Sequence, residues 1–206
     1  GCSITYHLTK IGITDVVLVE RKQLTCGTTW HAAGLVGQLR ATRNMTELAK
    51  YTAELFRGLE EETGQATGFK QNGSISVALN EERLEELTRG ASMASNFGLD
   101  VQVMQTTELA ERWPGLNVED VVGGVYLPGD GQTNPIDTAQ ALAKGAKMRG
   151  AKIFEGVKAT QILTEGGRAT GIETDQGTIM ADTVVLTGGM WSRDMAAQAG
   201  ASVPLH

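Results

Sequence analysis

Gly1-Cys2-Ser3-Ile4-Thr5-Tyr6-His7-Leu8-Thr9-Lys10-Ile11-Gly12-Ile13-Thr14-Asp15-Val16-Val17-Leu18-Val19-Glu20 opens the chain, and its reading decides the fold. Ile4, Leu8 and Ile11 recur at i, i+4 and i+7, so residues 1–10 are expected to form an amphipathic helix. Gly12 stands where a helix stops in a left-handed conformation. Asp15 to Glu20 is a nearly unbroken β-branched run of the kind buried in a parallel sheet. Helix followed by such a strand predicts an α/β fold. In a dinucleotide-binding βαβ unit the last glycine of G-x-G-x-x-G opens the helix. An acidic residue ends the second strand about 20 residues later and hydrogen-bonds a ribose. Gly1 and Glu20 stand in that relation. The first strand and first two glycines of the fingerprint are not in the sequence, and any α–β unit ending in an exposed glutamate would share what is. A carboxylate at position 20 also disfavours a ribose carrying a 2′-phosphate.

Working outward, residues 21–43 hold Gly27, Gly34 and Gly37 among small and hydroxylated residues and are expected to form a long loop. Asn44 is expected to cap a helix from Met45 to about Thr63, with Leu48, Tyr51, Leu55 and Leu59 on its apolar stripe. Residues 68–80 alternate as a strand, with Ile75, Val77 and Leu79 on one face. A charged helix over 81–96, a short strand at 101–103, a brief helix at 107–111 and a strand at 121–127 follow. Asn134-Pro135 starts a helix with proline at its first position, running to about Arg149. Strands are expected at 151–155, 158–164, 169–174 and 178–180, the second and third joined by a turn at Gly166-Gly167. A last apolar run, Thr183-Val184-Val185-Leu186, reads as a strand entering Thr187-Gly188-Gly189.

With 41% hydrophobic and 20% charged residues and 26 glycines, the composition is that of a globular chain with many tight turns. The net charge is −6 and no Lys/Arg-rich run exists, which argues against a nucleic-acid or anionic membrane surface. No apolar stretch approaches the ~20 residues that span a bilayer. Two cysteines, Cys2 and Cys26, are too few for a disulfide framework and point to a reducing compartment. No His/Cys/carboxylate cluster has metal-ligand spacing. Without an initiator methionine or targeting segment, and with Gly1 opening onto helical spacing, the sequence reads as trimmed at both ends.

A second constellation is Thr25-Cys26-Gly27-Thr28-Thr29-Trp30-His31-Ala32-Ala33-Gly34-Leu35. Consecutive glycines and hydroxylated residues offer backbone N–H groups and short donors that close over a pyrophosphate or a flavin ring. Cys26 as a nucleophile has no second histidine near it in sequence, and Gly27-Thr28 fits a cofactor loop better. A third constellation, Val184 to Ser192 through Gly188-Gly189-Met190-Trp191, is an apolar strand running through small residues into a helix start. Such a segment brings backbone close to a phosphate-bearing cofactor. His7, on a helix flank, and Cys2 read as structural, and Glu81-Glu82-Arg83 with Glu85-Glu86 as a solvated helix face.

The run from Glu20-Arg21 through Thr28-Thr29-Trp30-His31-Ala32-Ala33-Gly34 resembles the dimethylglycine and sarcosine dehydrogenase branch of the D-amino-acid-oxidase-like flavoproteins, and the likeness extends over nearly all of the chain. Gly73-Ser74-Ile75 and Gly129-Asp130-Gly131 also look like segments of that family. The resemblance implies a three-layer, Rossmann-like FAD-binding domain formed by 1–67 and 137–206, its first strand missing, interrupted by 68–136 as part of an α+β substrate lobe. It implies FAD as cofactor, with Gly1, Cys2, Glu20, Arg21, Gly27, Thr28, Thr29, Trp30, His31, Ala32, Ala33, Gly34 and Leu35 around it. Gly188, Gly189 and Trp191 would form a second contact. Val157 falls where the family sets a valine backbone against the adenine, although a plain core valine fits that position as well. His31 matches the residue that the family joins covalently to the 8α-methyl of FAD. No metal is implied, and the catalytic substrate-side groups are expected beyond residue 206.

The implied activity is oxidative demethylation of an N-methyl amino acid of the sarcosine or dimethylglycine class, with hydride transfer to flavin. Electrons would pass on to an acceptor flavoprotein or to oxygen. The implied location is the bacterial cytoplasm or the mitochondrial matrix, and residues 1–206 alone are expected to be inactive. Two alternatives stay open: another amine or amino-acid oxidoreductase of the fold, and a non-catalytic homologue like the pyruvate dehydrogenase phosphatase regulatory subunit.

Overall fold

In a computed structural model describing residues 1–205, helix α1 spans Cys2–Lys10 and strand β1 spans Val17–Glu20. The turn between them is set by Gly12. Its φ of +93° lets the Gly12 N–H reach the Thr9 carbonyl (3.1 Å) and the Ile13 N–H reach that of Leu8 (2.9 Å). This pair of bonds closes the helix end. The helix forms as expected, but a different face is buried. Thr5, Tyr6 and Thr9 are buried, whereas Ile4 and Ile11 are exposed. The hydroxyls pack because they are satisfied within the helix: Thr5 Oγ1 donates to the Gly1 carbonyl and Thr9 Oγ1 to that of Tyr6.

Residues 32–138 fold as a compact unit of their own. Strand β2 (Leu35–Val36) emerges from the expected loop, and helix α2 spans Arg43–Thr63. The cap is Thr42 rather than Asn44: its hydroxyl accepts from the Met45 N–H, and Asn44 lies inside the helix. Of the expected stripe only Leu59 is fully buried. Leu48 and Tyr51 are exposed, and Thr46, Ala53 and Thr63 face inward. Next come β3 (Ser74–Ala78), α3 (Glu81–Asn96), β4 (Gln102–Met104), α4 (Thr106–Arg112), β5 (Gly123–Leu127) and β6 (Gly131–Gln132). Strand β5 lies between β3 and β4 in an antiparallel sheet and is buried along its whole length. Leu79 falls beyond β3 and is exposed.

Helix α5 (Pro135–Met148) leads back to the unit that holds α1 and β1. It stops as α1 does, with Gly150 at φ +100° and the Ala151 N–H on the Ala146 carbonyl. Strand β7 (Lys152–Glu155) pairs in parallel with β1, Leu18 opposite Ile153 and Glu20 opposite Glu155. Two distant segments thus share a sheet, as their apolar runs predict. The pair is half-buried rather than buried on both faces, with Val17 and Phe154 exposed. Strands β8 (Ala159–Glu165), β9 (Arg168–Thr174) and β10 (Gly177–Met180) form an antiparallel meander. Gly166 and Gly167, both at positive φ, make its first turn. The strand expected at 183–186 does not form: among the described residues this segment joins no ladder, and Val185 is exposed. A strand is defined by its lateral partner, and apolar content alone does not supply one. A 3-10 turn at Gly189–Trp191 and helix α6 (Ser192–Gln198) follow. His206 lies outside the described residues.

The compact units meet in sequence at 31/32 and 138/139, whereas the expected division at 67/68 and 136/137 grouped residues 32–67 with the first unit. The hydrogen bonds explain the observed grouping. Strand β2 pairs with β6, Lys70 bridges to Gln132, and the Thr67 carbonyl accepts from the Asn134 N–H at 2.9 Å.

Candidate cofactor site

Parallel strands bind ligands outside their carboxyl ends. Strands β1 and β7 end together at Glu20 and Glu155, so two carboxylates stand at the same edge. Each is partly committed to local backbone: Glu20 Oε1 accepts from the Lys22 N–H and Glu155 Oε2 from the Leu24 N–H, both at 3.0 Å. The Gly156 N–H donates to the Lys22 carbonyl (2.8 Å) and the Val157 N–H to that of Glu20 (2.9 Å). These bonds fix the turn that follows β1 against the end of β7. They also occupy the Val157 amide, so a backbone contact from buried Val157 to an adenine would have to come from its carbonyl.

Gly1 caps α1 beside this edge. A Cβ there would lie 3.3 Å from Leu18 Cδ1 and 3.4 Å from Thr187 Oγ1, which is the close helix–strand approach that the third fingerprint glycine serves. Cys2, half-buried behind it, has its thiol pushed above the ordinary value by burial. Arg21, next to Glu20, places its guanidinium 4.0 Å from the centre of the Trp191 ring. Trp191 ends the 3-10 turn that starts at Gly189, whose φ is +58°, and its N–H bonds the Gly188 carbonyl. The Glu20-Arg21 and Gly188–Trp191 segments, 168 positions apart in the numbering of Glu20 and Gly188, therefore meet within one unit.

Past the turn, a hollow of about 570 Å³ is lined by Lys22, Gln23, Cys26, Glu155 and Gly156. Beside it Thr25 holds φ +73°, a value that costs a β-branched residue strain and that no other described non-glycine residue adopts. Neither the hollow nor the strain was legible in the sequence, since Lys22 and Gln23 carry no motif and threonine is a poor left-handed residue. Thr28–His31 form a 3-10 turn with Trp30 and His31 exposed and their rings 4.1 Å apart, tilted by 37°. Gly27 has open space around its Cα.

Ala32, Ala33, Gly34 and Leu35 belong to the other compact unit. There Gly34, at φ +77°, accepts at its carbonyl from the Thr133 N–H (2.8 Å), and a Cβ would overlap the Thr133 carbonyl. Leu35 is exposed. Asp130, in the Gly129-Asp130-Gly131 turn, is buried. Its Oδ1 accepts from the Gln38 N–H (2.8 Å) and its Oδ2 from the Ser74 hydroxyl (2.6 Å). Among the described residues no group of histidine, cysteine and carboxylate side chains is disposed to hold a metal ion, and no helix is long and apolar enough to cross a membrane.

The residues present fit an adenosine diphosphate moiety. A tightly packed helix start, a strand-end carboxylate with acceptor capacity beyond its one local bond, and a glycine turn lie on one edge.

Comparison with known proteins agrees. The chain is 40% identical over 211 residues to human mitochondrial sarcosine dehydrogenase, covering all of this chain and 23% of that protein. It is 40% identical to the formaldehyde-forming 4-methylaminobutanoate oxidase of Paenarthrobacter nicotinovorans, covering 25% of it. It is 36% identical to the mouse mitochondrial pyruvate dehydrogenase phosphatase regulatory subunit, covering 24% of it. The chain thus spans about a quarter of the length of these relatives. Among solved structures it superposes on L-proline dehydrogenase from P. horikoshii with a TM-score of 0.90 at 26% identity, over 97% of this chain and 52% of that one. The family model for FAD dependent oxidoreductases matches residues 1–206, and the chain belongs to that family.

Proposed function

We propose that this chain is the cofactor-holding part of an enzyme that oxidises an N-methyl amino acid of the sarcosine or dimethylglycine class. The observation that carries the reading is the Glu20 carboxylate at the shared end of β1 and β7, with the Arg21–Trp191 contact bringing the Gly188-Gly189 turn beside it. Glu20 would accept from the adenosine ribose hydroxyls. The N-terminus of α1 would face the pyrophosphate, where its free N–H groups and dipole favour negative charge. When bound, FAD supplies the acceptor for the hydride that leaves the N-methyl carbon, and the protein binds and orients it. The 40% identity to human sarcosine dehydrogenase and to the P. nicotinovorans oxidase supports an N-methyl amine as substrate. An electron-acceptor flavoprotein and a bacterial cytoplasmic or mitochondrial matrix location belong to the same reading.

His31 is proposed as the covalent attachment point. It sits exposed on a 3-10 turn, with its ring against Trp30 and small residues Ala32, Ala33 and Gly34 following. An imidazole ring nitrogen has the lone pair that such a bond requires. Acid precipitation of the full-length protein tests this. Yellow colour is expected to stay with the pellet for the natural protein and to move to the supernatant for His31→Ala. Flavin released entirely from the natural protein would refute the covalent bond while leaving FAD binding intact.

The 36% identity to the phosphatase regulatory subunit favours a second reading, a non-catalytic homologue. A full-length protein that purifies colourless and takes up no added FAD would establish it.

A further inference from the structure

The turn after β1 is secured by hydrogen bonds from its own backbone and to the two strand-end carboxylates. Four hydrogen bonds tie residues 20–24 to 155–157 or close the turn on itself: Lys22 N–H to Glu20 Oε1, Leu24 N–H to Glu155 Oε2, Gly156 N–H to the Lys22 carbonyl, and Val157 N–H to the Glu20 carbonyl. Among the described residues the Gly188–Trp191 turn makes no hydrogen bond of that kind to the β1 edge. The residues before it form no strand, Gly189 is in the left-handed region, and the turn's own bond is the Trp191 N–H to the Gly188 carbonyl at 3.2 Å. Thr187 packs beside Gly1 ahead of the turn, and the contact that reaches the turn itself from the β1 edge is the Arg21 guanidinium, 4.0 Å from the centre of the Trp191 ring.

We propose that Arg21 and Trp191 act as a positioning clasp that holds the Glu20 carboxylate and the Gly188-Gly189 turn at the spacing an adenosine diphosphate group requires. The proposal rests on the cofactor reading given above and goes beyond it. The two residues contribute to affinity as a pair, by geometry, and neither has to touch the cofactor. Both side chains are exposed, so the contact is of the weak, solvated kind, and its loss is expected to act on the adenosine end of the cofactor alone. Arginine is suited to this because its planar, delocalised cation stacks on an aromatic face, and lysine substitutes only in part.

The test uses full-length apoprotein from riboflavin-starved cells and two flavins that lack the 8-methyl group, so that no covalent bond forms: 8-demethyl-FAD and 8-demethyl-FMN. Dissociation constants are read from flavin fluorescence. Arg21→Gln and Trp191→Leu are each expected to weaken 8-demethyl-FAD about two- to fivefold, with the double variant no weaker than either single one. Trp191→Phe is expected to keep most of the affinity, and 8-demethyl-FMN, which has no adenosine, to bind all variants alike. The clasp is overturned if the single variants bind 8-demethyl-FAD as the natural protein does, if their losses add, or if 8-demethyl-FMN weakens in step. The last pattern would mark a merely structural contact, visible also as a lowered melting temperature of the apoprotein. Failure of the natural apoprotein to bind 8-demethyl-FAD overturns the cofactor reading and the clasp together.

Discussion

The proposed function gives the Glu20 carboxylate a second task beside the one it has in the fold. Its Oε1 closes the turn by accepting from the Lys22 N–H, and its position at the strand end suits it to a ribose. Replacing it by alanine in the full-length apoprotein is expected to weaken binding of 8-demethyl-FAD, which His31 cannot attach, by about 1–3 kcal/mol, the usual cost of leaving polar partners unpaired. Glu20→Gln separates the two tasks, because its amide oxygen still accepts from Lys22 while the charge is gone. Equilibrium dialysis of the apoproteins against 8-demethyl-FAD should show the glutamine form lying between the natural protein and Glu20→Ala. Retention unchanged in both would remove Glu20 from the site. At the same scale, Gly34 admits no side chain, since it combines a positive φ with contact to the Thr133 carbonyl. Thr25 is the opposite case, a residue held at positive φ where glycine would be cheaper. Nothing in its local sequence announces that strain.

Two elements stop because of a glycine and two segments are joined by a carboxylate. Helices α1 and α5 end in the same capping arrangement at Gly12 and Gly150, and each then feeds a strand of the parallel pair. In the other unit, buried Asp130 receives the Gln38 N–H and the Ser74 hydroxyl, so it holds the segment after β2 and the start of β3 to the turn after β5. Asp130→Ala leaves the half-buried Gln38 N–H and the exposed Ser74 hydroxyl without their buried acceptor, which is expected to cost about 1–3 kcal/mol of stability. Asp130→Asn keeps one acceptor oxygen and is expected to lose about half as much. Thermal melts of the two variants check the order, and equal melting temperatures for Asp130→Ala and the natural protein would show that these bonds are replaced by water.

For the whole molecule, membership of the FAD dependent oxidoreductase family implies FAD as the cofactor. The substrate is the finer question, because a chain spanning a quarter of its relatives carries their likeness without their whole active sites. Anaerobic mixing of the full-length protein with sarcosine, dimethylglycine and 4-methylaminobutanoate in turn is expected to bleach the flavin fastest with one of the first two. Fastest bleaching by 4-methylaminobutanoate would move the substrate class. No bleaching by any of them, in a protein that holds FAD, would favour the non-catalytic reading.

Periodicity and punctuation by themselves determined the helix at 1–10, the strand ending at Glu20, the helix at 81–96, the proline-led helix from 135 and the meander after 158. Each is a local pattern, and the strengths of local signals are intrinsic to the residues involved. The loop bearing Trp30-His31 was legible for the same reason. Tertiary structure alone decided which helix faces are buried. Hydroxyl-rich faces at Thr5 and Thr9, and at Thr46 and Thr63, turned inward where Ile4 and Leu48 stayed out. It decided that residues 183–186 form no strand, because a strand exists only with a neighbour to pair with, and that 32–67 group with 68–138. It also brought Arg21 to Trp191 and Glu20 to Glu155. Contacts between residues far apart in sequence depend on how the chain closes on itself, and no local pattern encodes that closure.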